Sequence, residues 1–171
     1  MDVTIIPNKL QGTVTPPSSK SVAHRALIAA ALSGGFSTIS NLGDSKDIQA
    51  TRSCLSALKT GQPAGEDGLP LLDCGESGST LRFLIPLSLV LRGGGRFTGR
   101  GRLMERPQGP YFSLFQEKGI FYQQKDSVLT VRGTLSPGRY SLPGDVSSQF
   151  VTGMLYALPL LPGDSTLTVT P

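Results

Sequence analysis

Long apolar runs are missing from this sequence: no stretch reaches the roughly 18 residues that a membrane-spanning helix needs, and Asp2 and Lys9 break up what little apolar sequence opens the chain. Neither a signal peptide nor a membrane segment is therefore expected, and a cytoplasmic protein is. Cysteine is nearly absent. Cys54 and Cys74 are too few for a disulfide framework and match no metal-ligand spacing, so they are expected to be core thiols in a reducing compartment. No metal and no cofactor is expected. Aromatic residues make up only 6% of the chain and are not interleaved with positive charge, which argues against a nucleic-acid track. Charge of neither sign accumulates either: Lys and Arg number 16 against 12 Asp and Glu, leaving +4. The cations, among them Lys20, Arg25, Arg82, Arg92, Arg96, Arg100, Arg102 and Arg106, are spread out, which favours small anionic ligands.

What is present is a chain of 171 residues, 38% hydrophobic, long enough to bury a core as one domain or one domain with part of another. The 21 Gly and 13 Pro punctuate apolar segments without forming a low-complexity run, so they read as turns in an α/β or α+β protein.

Three segments share one plan: a turn, a small polar cap, then an apolar helix. Pro17-Ser18-Ser19-Lys20-Ser21 leads into residues 22–32, Gly75-Glu76-Ser77-Gly78-Ser79-Thr80 into 81–91, and Pro143-Gly144-Asp145-Val146-Ser147-Ser148 into 149–158. Each helix is followed by a β-prone stretch, at 36–42, 96–99 and 165–170. In the first two units a second, two-faced helix is predicted, over 47–59 with Ile48, Thr51, Leu55 and Leu58 at helical spacing, and over 107–118 with Tyr111, Leu114 and Phe115. Strand-like segments at 71–74, and at 121–123 with 127–132, close those units, and 139–142 leads into the third cap. The pattern predicts a buried first helix beside a surface second helix in each unit. If the buried helices run side by side in one direction, all three caps emerge at one end, where free N–H groups and helix dipoles favour anions. The competing view is that Ser, Thr and Asp simply start helices, as they do in any protein. The third unit stops at Thr170-Pro171, where the earlier ones begin their second helix, so the polypeptide is expected to be one part of a longer enzyme.

In the first cap, Ser18-Ser19-Lys20-Ser21 with Arg25 gathers hydroxyl donors, an ammonium and a guanidinium fork around one helix start. A phosphate or carboxylate would be satisfied there by charge-assisted bonds. Alternatively Lys20 and Arg25 pair with acidic neighbours such as Asp44 or Asp47.

The stretch from Pro17 through Lys20, Ser21 and Arg25 to Leu27 resembles the first signature of the 5-enolpyruvylshikimate-3-phosphate synthase (3-phosphoshikimate 1-carboxyvinyltransferase) family. Asn41-Leu42-Gly43-Asp44-Ser45-Lys46-Asp47 resembles its Asp-Ser-x-Asp turn, residues 75–82 its glycine-rich loop and helix, Leu103-Met104-Glu105-Arg106-Pro107 its Arg-Pro motif, and Gly144-Asp145-Val146-Ser147-Ser148-Gln149-Phe150 its Ser-Ser-Gln motif. The resemblance spans the chain, with its motifs in the family's order.

The resemblance implies a transferase of the shikimate pathway, which leads to chorismate and the aromatic amino acids. Such an enzyme moves the enolpyruvyl group of phosphoenolpyruvate to the 5-hydroxyl of shikimate 3-phosphate by addition and then elimination of phosphate. It further implies that Lys20 contacts both substrates and is the one proton-transfer participant in this stretch. Ser21 and Arg25 would hold shikimate 3-phosphate, Gly78 and Arg106 phosphoenolpyruvate, Ser147 and Ser148 the shikimate phosphate, with Gln149 between the ligands. The implied fold is two lobes of repeated units with helices inside and sheets outside, the substrates lying between the lobes in a monomer. On that plan residues 1–16, with β-prone 3–6 and 13–15, form a strand segment crossing to a second lobe. Residues 17–171 then form an incomplete N-terminal lobe, with units of about 17–74, 75–142 and a partial 143–171. The missing C-terminal lobe would carry the remaining catalytic groups, so the fragment is expected to be inactive by itself.

Many members have Asn in place of Glu76 and Thr in place of Ser79; a carboxylate at 76 would repel an anion unless it points away, so Glu76 is not counted as a ligand. His24, also an Asn in many relatives, is expected to be packed and hydrogen-bonded rather than catalytic. Two alternatives stand beside this assignment: the related UDP-N-acetylglucosamine enolpyruvyl transferase, whose first motif has Lys-Asn where this chain has Lys20-Ser21, and a noncatalytic anion-binding domain.

Overall fold

The structure, a computed structural model, describes residues 2–9, 11–62, 64–65 and 67–171. Its helices are α1 (Lys20–Leu32), α2 (Lys46–Thr60), α3 (Gly78–Arg92), α4 (Gly109–Lys118) and α5 (Ser148–Ala157). Its strands are β1 (Leu71–Asp73), β2 (Gly94–Thr98), β3 (Phe121–Lys125), β4 (Val128–Arg132), β5 (Arg139–Pro143) and β6 (Thr166–Thr170). Serine starts four of the helices in the same way: Ser19, Ser45, Ser77 and Ser147 each sit at the N-cap and accept an amide hydrogen from the first turn, at Val22, Ile48, Thr80 and Gln149. Three helices stop at a left-handed glycine, Gly61, Gly93 and Gly119, where a side chain would be strained.

The expected repeat is present as a β–α–β crossover used twice. Strands β1 and β2 pair in parallel around α3, and β5 and β6 pair in parallel around α5. The first pair is extended by the antiparallel β4 and β3 into a sheet of order β1-β2-β4-β3. Asp126 and Ser127 turn the β3–β4 hairpin with φ of 50° and 60°, the twist that matches two antiparallel strands.

Helix α3 is buried nearly all round by Leu81, Phe83, Leu84, Ile85, Leu87 and Leu89. At roughly 1.5–3 kcal/mol for each large side chain taken from water, this helix anchors the core. Pro86 stands inside it and has no N–H for the Arg82 carbonyl four residues earlier. The buried Tyr111 hydroxyl of α4 takes that place, 2.8 Å from the Arg82 carbonyl and 3.0 Å from that of Phe150 on α5. Gly153 lets α5 lie against this junction, since a Cβ there would run into the Tyr111 hydroxyl and the Arg82 carbonyl.

Several expectations need correction. The stretch 36–42 is not a strand: no segment among the described residues pairs with it, and Phe36 is fully exposed. The β-prone residues 3–6 and 13–15, whose expected partners lie in a second lobe, pair with no strand among the described residues, and Val3, Ile5, Ile6 and Val14 are exposed. Within the segment 1–16, Met1 and Leu10 lie outside the described residues. Helix α1 is not buried all round as its composition suggests: only Ala23, His24 and Ile28 are buried, because α1 packs against α2, α3 and α5 on its inner side and no sheet among the described residues covers the outer one. Helix α4 begins at Gly109 rather than at 107, with Pro110 in its first turn.

Candidate anion site at the helix N-termini

The helices run side by side in one direction, which is visible in the order of their contacts. Lys20 and His24 of α1 meet Asp47 and Thr51 of α2 in turn. Ser79 of α3 bonds Gln149 of α5, and one turn further along both helices Arg82 and Pro86 face Gly153. The starts of α1, α2, α3 and α5 therefore gather at one end, and their unpaired first-turn N–H groups and dipoles add there.

Two groups of side chains form this end. In the first, the Gln149 amide accepts from Arg82 Nη1 at 2.8 Å and donates to Ser79 Oγ at 2.9 Å, which ties the α5 cap to the α3 cap. Arg82 also donates to the Pro107 carbonyl at 3.2 Å and lies 4.6 Å over the Phe150 ring. Gly78 is buried beneath Arg106: a Cβ on it would stand 2.8 Å from Arg106 Nη1. Burial, followed by the nearby Arg106 charge, lowers the Arg82 pKa from its ordinary value.

In the second group, Arg25 donates to the Ser21 carbonyl at 2.9 Å and to Thr152 Oγ1 of α5 at 3.3 Å, with its guanidinium 5.3 Å over Phe83. Lys20 is exposed and pairs with Asp47 at 3.0 Å, so the acidic partner considered from the sequence is realised for Lys20. Asp44 instead accepts from Gln49 at 2.8 Å. A pair this exposed is a weak tether that an anion can displace. Ser147 caps α5, and the exposed Ser148 begins it.

Among the described residues, Arg25, Arg82 and Arg106 have no carboxylate within ion-pair distance; the pairs found are Lys20–Asp47, Arg100–Asp73, Arg102–Glu105 and Lys118–Glu117. Glu76 is exposed and lies beside Gly101, at the edge of a cleft of about 640 Å³ shared with Lys46, Asp47, Asp73 and Arg100. His24 is buried edge-on to Phe83, with ring centroids 6.5 Å apart, and its Nδ1 lies 2.7 Å from Thr51 Oγ1. Both cysteines are buried, and the Cys74 thiol is pushed well up by its hydrogen bond with Cys54 and by burial. Among the described residues there is no cluster of acidic, histidine or cysteine side chains able to hold a metal ion, and no helix is long and apolar enough to cross a membrane.

The sequence pattern of the EPSP synthase (3-phosphoshikimate 1-carboxyvinyltransferase) family matches residues 5–171. This chain belongs to the EPSP synthase family. A 3-phosphoshikimate 1-carboxyvinyltransferase of Clostridium kluyveri is 47% identical over 182 residues, covering 98% of this chain and 43% of that protein. The Clostridium beijerinckii relative is 42% identical over 190 residues, covering 99% of this chain and 44% of its own length. The chain thus spans less than half the length of the curated relatives it matches. A solved EPSP synthase of Acinetobacter baumannii superposes with a TM-score of 0.74 at 22% identity, covering 94% of this chain and 40% of that one, which shows the fold.

Arg82, Ser79 and Thr152 are the site residues that sequence reasoning passed over in this EPSP synthase family member. A signal for Arg82 was available: Arg82-Phe83-Leu84-Ile85 in the second unit repeats Arg25-Ala26-Leu27-Ile28 in the first. Thr152 had no such signal, since only the packing of α5 on α1 brings it to Arg25.

Proposed function

We propose that this chain supplies the anion-gripping face of an enzyme that transfers the enolpyruvyl group of phosphoenolpyruvate to the 5-hydroxyl of shikimate 3-phosphate, releasing phosphate. The observation that carries the proposal is the set of three guanidiniums, Arg25, Arg82 and Arg106, gathered at helix N-termini with no carboxylate partner among the described residues. Clustered cations without counter-charge repel each other, and a multiply charged anion relieves that cost.

Gly78 and Arg106 form the phosphoenolpyruvate end: the glycine lets a carboxylate or phosphate reach the backbone N–H, and Arg106 closes over it with two parallel donors. Ser21, Arg25, Ser147 and Ser148 form the shikimate 3-phosphate end, where two helix starts and Arg25 meet. Gln149, bonded to Ser79 and Arg82, stands between them. Lys20, on an exposed four-carbon stem beside Asp47, reaches toward both ligands and is the proton carrier of this face. The units 17–74, 75–142 and 143–171 form the substrate-binding lobe, and residues 1–16 reach toward the remainder of the enzyme. The remaining catalytic groups lie in that remainder, so the chain by itself binds without turnover.

Calorimetric titration with shikimate 3-phosphate tests this directly. Saturable binding that is lost in Lys20→Ala and Arg25→Ala is expected, and undiminished binding in both variants sinks the assignment. Adding a polypeptide corresponding to the rest of the Clostridium kluyveri relative is expected to restore phosphate release from the two substrates. Binding without any restored release would favour a noncatalytic anion-binding role.

A further inference from the structure

Beneath the anion face, His24, Thr51, Thr80 and Ser77 stand in single file, all buried. His24 Nδ1 is 2.7 Å from Thr51 Oγ1, and Thr51 Oγ1 is 2.7 Å from Thr80 Oγ1. Thr80 donates its hydroxyl to Ser77 Oγ at 2.7 Å and its backbone N–H to the same oxygen at 3.2 Å. The file crosses from α1 through α2 to the cap of α3, the residue before Gly78.

A hydroxyl has one hydrogen to give, and that constraint sets the direction of the whole run. The hydrogen of Thr80 goes to Ser77, so Thr51 is the donor where Thr51 meets Thr80. Thr51 can reach the Asp47 carbonyl at 3.2 Å as well, but the 2.7 Å contact is the tighter one. Nothing remains for Thr51 to give His24, so the imidazole must donate from Nδ1. Ser77 Oγ, accepting twice, keeps its own hydrogen, for which no acceptor is found among the described residues.

The surroundings favour the neutral ring. Burial lowers its pKa most; Asp47 of α2 opposes this, while Lys20 and Arg25 of α1 act in the same direction as burial. A neutral ring with hydrogen on Nδ1 leaves Nε2 bare.

We propose that His24 is a positioning residue of the phosphoenolpyruvate end: its Nδ1–H sets a one-way run through Thr51 and Thr80 that holds the Ser77 cap, leaving the Ser77 hydroxyl hydrogen and the Gly78 amide as donors for the anion. The phosphoenolpyruvate part of this rests on the function proposed above; the direction of the run does not.

His24 is the only histidine of the chain, so a long-range proton–nitrogen NMR spectrum at about pH 8, well above the ordinary histidine range, shows a single ring. The Nδ1–H form is expected; the Nε2–H form reverses the run and overturns the proposal. Thr51→Val, nearly isosteric, and His24→Leu each cut the run. Both are expected to lose hydrogen-exchange protection of the Thr80 amide and affinity for phosphoenolpyruvate, by about tenfold each, the worth of one buried bond. His24→Asn places an amide N–H where Nδ1 stood and is expected to remain within about twofold of the parent chain. Parent-like protection and affinity in Thr51→Val, or a loss in His24→Asn as large as in His24→Leu, overturns the proposal. If the parent chain binds no phosphoenolpyruvate, the proposed function fails, while the tautomer and the Thr80 amide still decide the role of His24 in holding the cap.

Discussion

Gln149 and Arg82, separated by 67 residues in sequence, meet at 2.8 Å and join the cap of α5 to the first turns of α3. The same amide reaches Ser79 at 2.9 Å, so one side chain fixes the spacing between two helix N-termini. Truncating it releases Arg82 toward solvent and lets the caps separate. Gln149→Ala is expected to weaken binding of shikimate 3-phosphate and of phosphoenolpyruvate by about 1–2 kcal/mol each, roughly tenfold, because a hydrogen bond to a charged partner is lost. Calorimetry on the variant checks this; a loss confined to one ligand would show that Gln149 does not couple the two ends.

Gly78→Ala should separate the ends. The added Cβ stands 2.8 Å from Arg106 Nη1, the far end of a flexible side chain, so the fold tolerates it while Arg106 is displaced from above Gly78. Phosphoenolpyruvate affinity is expected to fall about tenfold and shikimate 3-phosphate affinity to change less than about twofold. Equal losses for both ligands would contradict the placement of Gly78 at one end.

Gly153→Ala is expected to act on stability rather than on the site chemistry. A Cβ there meets the Arg82 carbonyl at 2.5 Å and Pro86 Cγ at 3.1 Å, in the tight junction of α3, α4 and α5. Overpacking of this kind costs about 1–3 kcal/mol, read as a lower denaturant midpoint. A midpoint unchanged from the parent would mean that α5 is not held this closely.

Acid should destabilise the chain through His24. Burial is the main reason its folded pKa lies below the ordinary 6.5, so as pH drops past 6.5 unfolded His24 takes up a proton before folded His24 does. The unfolded state then binds more protons, and stability falls with falling pH until the folded pKa is passed. Above 6.5 the effect is absent. Denaturation curves between about pH 7.5 and 5 check this. Because the chain has one histidine, His24→Asn is expected to flatten that part of the profile.

Much of this architecture is legible in the residues. Serine caps before apolar runs mark α1, α3 and α5, glycines mark the ends of α2, α3 and α4, and the recurrence of turn, cap and helix discloses the β–α–β unit. These are local signals, set by side chains that satisfy N–H groups within a turn of themselves. The failures are also physical. Residues 36–42 have β propensity, but a strand exists only through a partner, and none lies alongside among the described residues. Helix α1 has the composition of a buried helix, yet burial depends on what packs against it, and among the described residues no sheet covers its outer face.

From the sequence alone came the polar caps, the positions of Lys20, Arg25 and Arg106, and the family to which their motifs belong. Only the tertiary structure decided that the caps meet, that Arg82 is held by Gln149, that Lys20 rests on Asp47, and that His24 faces a line of hydroxyls. A cap is set by bonds within one turn, whereas an anion site needs several helix starts brought together, and that follows from which apolar faces bury against each other across the whole chain.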